Sequence, residues 1–219
     1  MNRSFVRRGG RITTAQQRAL DNLWSRYGVA NNTSLNLDEL FGRTAEKHLE
    51  IGFGKGDALL NMAKNHPEHD YLGIDVHRPG IGHLLLQIEK AELTNVRVLS
   101  ADVVEVFQNC LPAQCLNVVY LFFPDPWPKK RHQKRRLIQP NFIRLLAQLM
   151  KAGGDLYLAT DWEEYAQQML EVLEDSSEFN NGIAPKTFAP RSKERLLTRF
   201  EQRGLRLGHK VWDLLYHRQ

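Results

Sequence analysis

The sequence predicts an α/β fold, namely a Rossmann-like, doubly wound and mainly parallel sheet with a basic N-terminal arm. Two patterns predict it. From residue 47 onward, apolar runs of strand length alternate with segments that have the periodicity of amphipathic helices. The most apolar run, Leu116–Phe123, is continuous, as is typical of a central strand that is buried on both faces of a parallel sheet.

The predicted elements follow one another in β–α order after a helix at Ala15–Tyr27 and a polar loop at Asn31–Asn36. The predicted strands are His48–Ile51, Tyr71–Asp75, Val96–Leu99, Leu116–Phe123, Asp155–Ala159 and Val211–Tyr216. The predicted helices are Lys55–Asn65, Ile81–Glu92, Val103–Asn109, Leu137–Met150 and Trp162–Leu173. In the helix before the fifth strand, Pro140 is expected in the first turn, and Gly153 and Gly154 are expected to end it.

Length and composition indicate one large domain rather than two. The chain has 219 residues, of which 42% are hydrophobic, enough for one sizeable core. We expect the basic arm and a short helix over residues 1–45, and a single domain over residues 46–219. No apolar stretch approaches the roughly 18–20 residues that a membrane helix requires, so no membrane association is expected.

The cysteines and histidines indicate neither disulfides nor a metal site. Cys110 and Cys115 lack the C-x-x-C spacing of zinc and redox sites, so we expect two reduced thiols in a cytoplasmic protein. The eight histidines are scattered, and His66 and His69 flank a proline in a predicted loop. We therefore predict no metal ion. The sequence is compatible with either a monomer or a homodimer.

The charge is unevenly distributed. The net charge is +5, but residues 1–28 alone carry +5, residues 186–219 carry +6, and the basic segment Lys129–Arg136 carries +6. The remainder of the chain is therefore acidic, at −12. An acidic body with three basic patches favours a polyanionic partner such as a nucleic acid. A solvated basic surface without a partner is the alternative.

Acidic residues follow three successive predicted strands. Glu50 comes two residues before a G-x-G-x-G run that contains Gly52 and Gly54, and its charge suits a cationic ligand such as S-adenosylmethionine better than a pyrophosphate. Asp75 is placed to accept hydrogen bonds from the ribose hydroxyls of an adenosine, and Asp102 to bind the adenine amino group. Each feature alone also fits a structural turn or a helix N-cap.

The fourth predicted strand is followed by a Pro-Asp-Pro-Trp sequence, which is the most specific indication of a functional loop in the chain. Prolines on both sides of Asp125 restrict the backbone, which predicts a rigidly presented carboxylate and indole at the active edge of the sheet. The basic segment follows at once and matches the need to neutralise RNA phosphates. The alternatives are a structural Pro-rich turn and a solvated charged face. Trp127 fits either stacking on a displaced base or packing beneath the loop.

Asp161 follows the fifth strand and has two compatible interpretations. It fits a helix N-cap, with Glu164 completing a capping box, and it also fits a carboxylate that faces the substrate base.

With these residues in hand, the chain resembles the bacterial tRNA (guanine-N7-)-methyltransferase family over nearly its whole length. The matching segments are Ser4–Arg8, Gly10–Arg11, Ala15–Gln17, Leu49–Gly56, Gly73–His77, Phe122–Trp127 with the basic segment, Ala159–Trp162, Thr198–Gly204, Gly208–His209 and Val211–Asp213. The resemblance implies a class I methyltransferase fold, S-adenosylmethionine as methyl donor, and 7-methylguanosine formation at the variable-loop guanosine, position 46, of tRNA.

The resemblance also implies residue roles. Asp125 would be catalytic, and the methyl donor would lie against Glu50, Gly52, Gly54, Asp75, Asp102 and Asp125. The substrate would contact Lys129, Asp161, Thr198, Arg199, Phe200 and Glu201. The RNA would contact Arg131, His132, Gln133, Lys134, Arg135 and Arg136.

Two other functions remain open at this point. A methyltransferase of exocyclic amines typically has two adjacent prolines after an Asp or Asn at this strand end, whereas here the prolines flank Asp125. A non-catalytic RNA-binding protein on a degenerate methyltransferase fold would not bind S-adenosylmethionine.

Overall fold

The computed structural model describes residues 10–31, 34–192, 195–197, 201, 208 and 210–219. The strands are β1 (Gly28–Val29), β2 (Lys47–Ile51), β3 (Asp70–Asp75), β4 (Val96–Ser100), β5 (Leu116–Phe122), β6 (Met150–Thr160), β7 (Phe179–Asn181) and β8 (Trp212–Arg218). The helices are α1 (Thr14–Tyr27), α2 (Leu37–Phe41), α3 (Asp57–Asn65), α4 (Arg78–Lys90), α5 (Val103–Asn109), α6 (Pro140–Leu149) and α7 (Glu163–Glu174), and a 3₁₀ helix covers Lys130–Arg135. Every predicted strand and helix is present, with ends shifted by a few residues.

The strands form one sheet in the order β1-β4-β3-β2-β5-β6-β8-β7. The pairings from β1 across to β6 are parallel, whereas β8 is antiparallel to both β6 and β7. This confirms the predicted mainly parallel α/β sheet. The chain moves outward from β2 to β4 and then returns to β5 on the other side of β2, so the strand order reverses between β2 and β5. Ligands of such sheets bind in the crevice above this switch point.

Helices cover both faces of the sheet over separate apolar clusters. One cluster lies beneath α5, α6 and α7, and the other beneath α1, α3 and α4. In β2, Leu49 and Ile51 belong to the first cluster, so the alternation of side chains along a strand places His48 and Glu50 on the other face. Within the described ranges, no helix is both long and apolar enough to cross a bilayer.

The N-terminal helix and strand pack onto the same sheet. A capping box between Thr13 and Gln16 begins α1, and β1 pairs with β4 at the sheet edge. The helix crosses α4 so closely that a Cβ on Gly82 would lie 2.7 Å from the backbone oxygen of Gln16. Residues 14–29 therefore share a core with the following domain, while the predicted arm lies largely outside the described residues.

Two local expectations differ from the structure. Gly153 and Gly154 do not end α6, because the helix already ends at Leu149 and Met150 adopts an extended conformation at the start of β6. The glycines lie inside that strand, next to a register irregularity in its pairing with β5. The short helix α2 was not predicted, although Asn36 caps it by accepting two backbone hydrogen bonds.

Candidate active site

A cavity of about 870 Å³ opens at the carboxyl ends of β2, β3, β4 and β5. Its volume falls within the range of roughly 300–1,000 Å³ that is usual for small-molecule sites. Five of the predicted cofactor ligands line it, namely Gly52, Gly54, Asp75, Asp102 and Asp125. The fold therefore gathers, above its switch point, residues that are far apart in the sequence.

The loop after β2 needs its glycines because of its backbone conformation. Gly52 and Gly54 have φ angles of +70° and +60°, which residues with a side chain rarely adopt. A Cβ at either position would meet no atom within 4 Å, so the space beside the loop is open. A ligand can therefore approach this backbone closely.

Glu50 lies behind this loop and not on the cavity surface. It is 4% exposed, and its Oε2 atom has no hydrogen-bond partner among the described residues. Burial raises the pKa of Glu50 to about 8, and the nearby charges of Asp75 and Asp57 add to the rise, although a hydrogen bond from the Leu59 backbone opposes it. A buried carboxyl with an unsatisfied oxygen suits a ligand that supplies hydrogen-bond donors or positive charge.

Asp75 connects the ends of β2 and β3. Its Oδ2 atom accepts the Gly54 N–H at 2.7 Å, and its Oδ1 atom accepts the N–H groups of Val76 and His77 at 2.6 and 2.8 Å. Burial raises the pKa of the carboxyl, while these three hydrogen bonds oppose that rise. A carboxylate offers about four acceptor positions, so about one remains for a ligand.

Asp102 is both an N-cap and a wall of the cavity. Its Oδ1 atom accepts the Val104 N–H at 2.8 Å and so begins α5. Because the cap uses one oxygen, capping and ligand binding are compatible. His77 is a cavity residue that the sequence analysis did not single out, and it caps α4 by accepting the Gly80 N–H on Nδ1 at 3.3 Å.

The loop that carries Asp125 is held in an uncommon conformation. Phe123 and Trp127 have φ angles of +53° and +45°, in the left-handed region that such residues rarely occupy. Conformations of this kind cost about 1–3 kcal/mol each and persist only where the surroundings hold them. The Phe123 N–H donates to the Ala159 oxygen at 2.8 Å, which ties the loop to β6. The half-buried Asp125 is thus fixed at the cavity wall.

Arg136 anchors the same loop from below. It is 3% exposed, its Nε atom donates to the Pro126 oxygen at 2.7 Å, and its Nη1 atom donates to Gln168 Oε1 at 2.6 Å. Its guanidinium carbon lies 4.9 Å from the centroid of the Tyr165 ring. The turn of the 3₁₀ helix directs this last cation of the basic segment into the protein, so the predicted contact of Arg136 with RNA would require the side chain to leave this buried position.

The rest of the basic segment is graded in exposure. Four cations are exposed, namely Lys129, Lys130, Arg131 and Lys134, whereas His132, Gln133 and Arg135 are half-buried. The His132 ring and the Arg135 guanidinium pack against Trp127, at 5.8 and 5.0 Å from its ring. Gln133 donates a hydrogen bond to Glu164. Trp127 therefore supports the basic segment, a role that neither sequence interpretation included.

Asp161 follows β6 but does not cap α7. The N-cap residue is Trp162, which makes no side-chain capping bond, so the predicted capping box with Glu164 is wrong. Instead, Thr160 Oγ1 accepts the Trp162 N–H at 3.2 Å. Trp162 is 38% exposed beside Asp161, and the sequence analysis did not recognise it as a candidate substrate contact.

Glu201 belongs to a buried ionic network. Its Oε2 atom lies 2.5 Å from Arg195 Nη1, and Arg195 also makes two 2.9 Å hydrogen bonds to Asp213. The guanidinium carbon of Arg195 is 5.3 Å from the Phe123 ring centroid, so the network reaches the loop that holds Asp125. Glu201 is 3% exposed, so a direct contact with a base would require its surroundings to move. The predicted substrate contacts Thr198, Arg199 and Phe200 lie outside the described residues.

Comparison with known proteins identifies the family. A family model described as "Putative methyltransferase" matches residues 44–214. The tRNA (guanine-N(7)-)-methyltransferase of Alkalilimnicola ehrlichii is 54% identical over 220 residues, which cover 99% of this chain and 92% of that protein. The protein of the same name from Halorhodospira halophila is 54% identical over 216 residues, with 98% and 94% covered. The chain belongs to the tRNA (guanine-N7-)-methyltransferase family. The resemblance found in the motifs is thereby confirmed.

Solved structures of more distant proteins share the fold of this tRNA (guanine-N7-)-methyltransferase family member. The aminoglycoside resistance methyltransferase NpmB1 superposes with a TM-score of 0.55 at 17% identity, covering 84% of this chain and 92% of that one. A SAM-dependent methyltransferase from Aquifex aeolicus superposes with a TM-score of 0.53 at 15% identity, covering 84% and 88%. At these identities the likeness concerns the fold alone, and it confirms the class I methyltransferase architecture.

Proposed function

We propose that the protein transfers a methyl group from S-adenosylmethionine to N7 of a guanine in tRNA, the variable-loop guanosine at position 46, in the cytoplasm. The observation that carries this proposal is the cavity in which Asp75, Asp102 and Asp125 meet, directly beside the basic segment. Membership of a family whose 54%-identical members are named tRNA (guanine-N(7)-)-methyltransferases supports the substrate class. The two free cysteines, Cys110 and Cys115, are in keeping with a reducing compartment.

The donor set of the cavity fits S-adenosylmethionine, which supplies an electrophilic methyl group on a sulfonium sulfur when bound. The open glycine loop would hold its amino-acid part, with the unsatisfied Glu50 carboxyl beneath. The remaining acceptor position of Asp75 would serve a ribose hydroxyl, and a second hydroxyl would have to displace one of the three backbone bonds. Asp102 would accept from the adenine amino group.

Positioning and charge carry the chemistry. Guanine N7 already has a free lone pair, so the protein does not need to supply a general base. Its residues have to hold the ring in line with the methyl group, and well-oriented reactions gain about 7–11 kcal/mol in this way. The ring becomes cationic as it is methylated. Asp125 would stabilise that charge from a fixed position, as preorganised groups do in other enzymes.

The base would be selected by groups around Asp161. Its carboxylate would accept hydrogen bonds from the guanine N1–H and amino group, which adenine does not offer. The exposed Trp162 beside it provides a ring on which an extruded base can stack, a contact worth about 1–3 kcal/mol. The exposed Lys129, Arg131 and Lys134 would bind the phosphates of the surrounding RNA.

Radiolabelled methyl transfer to unmodified tRNA tests this function. We expect one methyl group per tRNA, recovered as 7-methylguanosine, and no transfer to a tRNA in which the target guanosine is replaced by adenosine. Recovery of a base methylated on an exocyclic amine would contradict the N7 assignment. Failure of the protein to bind S-adenosylmethionine in calorimetry would instead favour an RNA-binding protein without catalysis.

Glu50 predicts a decline in the stability of the ligand-free protein as pH rises. Its pKa of about 8 in the folded state lies above its ordinary value of 4.5, so between these pH values the folded state retains a proton that the unfolded state has released. Urea unfolding is therefore expected to show a loss on the order of a few kcal/mol from pH 5 to pH 8. Glu50→Gln should remove most of this loss, whereas the exposed Asp175→Asn should retain it.

The same measurement tests the position of the cofactor. A positive charge beside Glu50 favours its ionised form, so saturating S-adenosylmethionine should reduce the decline. S-adenosylhomocysteine retains the ammonium group but lacks the sulfonium, so an equal reduction by both ligands would assign the effect to the ammonium. A decline unchanged by either ligand would place the cofactor away from Glu50.

A further inference from the structure

Histidine and carboxylate side chains cluster at the amino ends of β2 and β3, at the end of the sheet opposite the cavity. Glu46 directly precedes β2, His48 is the second residue of that strand, and His69 directly precedes β3. The rings of His48 and His69 stack with their centroids 4.6 Å apart. We propose that Glu46, His48 and His69 bind one divalent transition-metal ion, with zinc as the ion that best suits these ligands. This site is independent of the proposed methyl transfer.

The spacing of the three side chains fits a tetrahedral ion. Glu46 Oε2 lies 3.4 Å from His48 Nε2 and 3.6 Å from His69 Nδ1, and all three atoms lie within 4.8 Å of one another. Zinc bonds of about 2.0–2.1 Å in tetrahedral geometry separate the ligand atoms by about 3.3–3.4 Å. The contacts to the carboxylate are therefore close to the required distance. The side chain of Glu46 is 54% exposed, so it can adjust while the buried His48 stays fixed.

The other ring nitrogen of each histidine has an oxygen neighbour. His48 Nδ1 is 3.2 Å from the hydroxyl oxygen of Tyr120, and His69 Nε2 is 3.5 Å from Glu68 Oε1. Histidines that bind metals almost always use their second nitrogen in this way, because the partner fixes the ring orientation and the tautomer. Tyr120 is buried on β5 and so holds His48 from within the sheet. Both nitrogens approach the same carboxylate, and because the stacked rings are nearly parallel, at 18°, the half-buried His69 ring has to turn toward the ion when it binds.

The ligand types select the ion. Imidazole nitrogens favour zinc, copper, nickel or iron, whereas magnesium and calcium prefer sites made of oxygen alone. Three protein ligands leave a fourth position that water can fill at this exposed edge. Without an ion, Glu46 would instead accept hydrogen bonds from both His48 and His69. Sequence spacing did not indicate the site, because its ligands lie on two segments that only the pairing of β2 with β3 brings together.

The position of the site predicts an effect on stability and none on methyl transfer. His48 lies on the order of 13 Å along β2 from Gly52, at about 3.3 Å per residue. An ion at the opposite edge would join the segments that precede β2 and β3 without contacting the cavity. Since it would bind the folded state only, it should raise the melting temperature in proportion to the logarithm of its concentration.

Calorimetry with zinc chloride tests the proposal on protein first stripped by a chelator. We expect one ion per chain and a higher melting temperature for the loaded protein. His69→Gln and Glu46→Gln should each weaken zinc binding by more than about tenfold. The matched control is His217→Gln, since His217 pairs with Asp155 elsewhere on the sheet and its replacement should leave zinc affinity unchanged.

A second variant separates metal binding from folding. Tyr120→Phe keeps the buried ring but removes the hydroxyl near His48, and it should weaken zinc binding by about 10- to 100-fold while the stripped protein remains folded. The cobalt-loaded protein should show the intense visible absorption of a four-coordinate ion. The proposal is overturned if stripped protein shows no saturable zinc binding, if Glu46→Gln and His69→Gln bind zinc as tightly as the wild type, or if the cobalt spectrum is that of a six-coordinate ion.

Discussion

Replacement of Asp125 by asparagine is expected to lower kcat for tRNA methylation by about 100- to 1,000-fold, the usual effect of removing one preorganised electrostatic contact. Asparagine retains the shape of the side chain but not the negative charge that opposes the charge growing on the guanine ring. The loop itself should persist, because its backbone is held by Ala159 and Arg136 and not by this carboxylate alone. The loss should therefore appear in turnover and not in the binding of tRNA.

Single-turnover methylation and filter binding of tRNA measure the two quantities separately. Asp175→Asn, an equivalent change at an exposed position at the end of α7, is the control and should retain full turnover. Thermal unfolding of both variants checks that the fold is intact. A normal rate in a folded Asp125→Asn protein would remove Asp125 from the mechanism and leave positioning as the main source of acceleration.

The strand ends were predictable because burial on both faces of a parallel sheet leaves a strong sequence signal. The continuous apolar run at Leu116–Phe123 predicted a central strand, and the end of that run predicted the position of Asp125. The same rule placed Asp75 and Asp102 on the cavity wall, where the structure has them. Glu50 was predicted to line the cavity with the other acids, but its carboxyl is buried behind the glycine loop. It lies within β2, on the face opposite to Leu49 and Ile51, and not at the end of the strand.

Side-chain direction within irregular segments was not predictable. Arg136 and Arg131 are equivalent in the sequence, and only the turn of the 3₁₀ helix makes one an internal anchor and the other a surface cation. The ionic network of Arg195 with Glu201 and Asp213 joins residues that are separated in the sequence, so their spacing alone could not predict it. The residue types give one indication of a buried partner, because Asp213 is a charged residue between Trp212 and an apolar run near the start of β8.

Three of the four exposed cations of the basic segment provide the second large expected effect. Combined replacement of Lys129, Arg131 and Lys134 by alanine should weaken tRNA binding at low salt and reduce its dependence on salt. Each lost phosphate contact lowers the slope of log affinity against log salt concentration by about 0.7–0.9, so three contacts lower it by roughly 2–3. Turnover at saturating tRNA should change much less than affinity, because Asp125 and the cavity remain intact.

A charge-matched control separates specific contacts from net charge. Lys64, Lys90 and Lys151 are exposed cations on other surfaces, and their replacement by alanine changes the net charge by the same amount. That variant should retain the wild-type salt slope. Equal slopes for the two triple variants would mean that the RNA responds to the overall charge and not to the basic segment.

Arg136→Ala completes the comparison, because it removes a cation of the same segment that is buried. Its loss leaves the Pro126 oxygen and Gln168 without their partner, so the melting temperature and the methylation rate should fall while the salt slope stays at its wild-type value. If the slope fell as it does for the exposed cations, Arg136 would have to leave its buried site when tRNA binds. The loop that holds Asp125 would then be rearranged by the substrate, and its geometry in the free protein would not be the catalytic one.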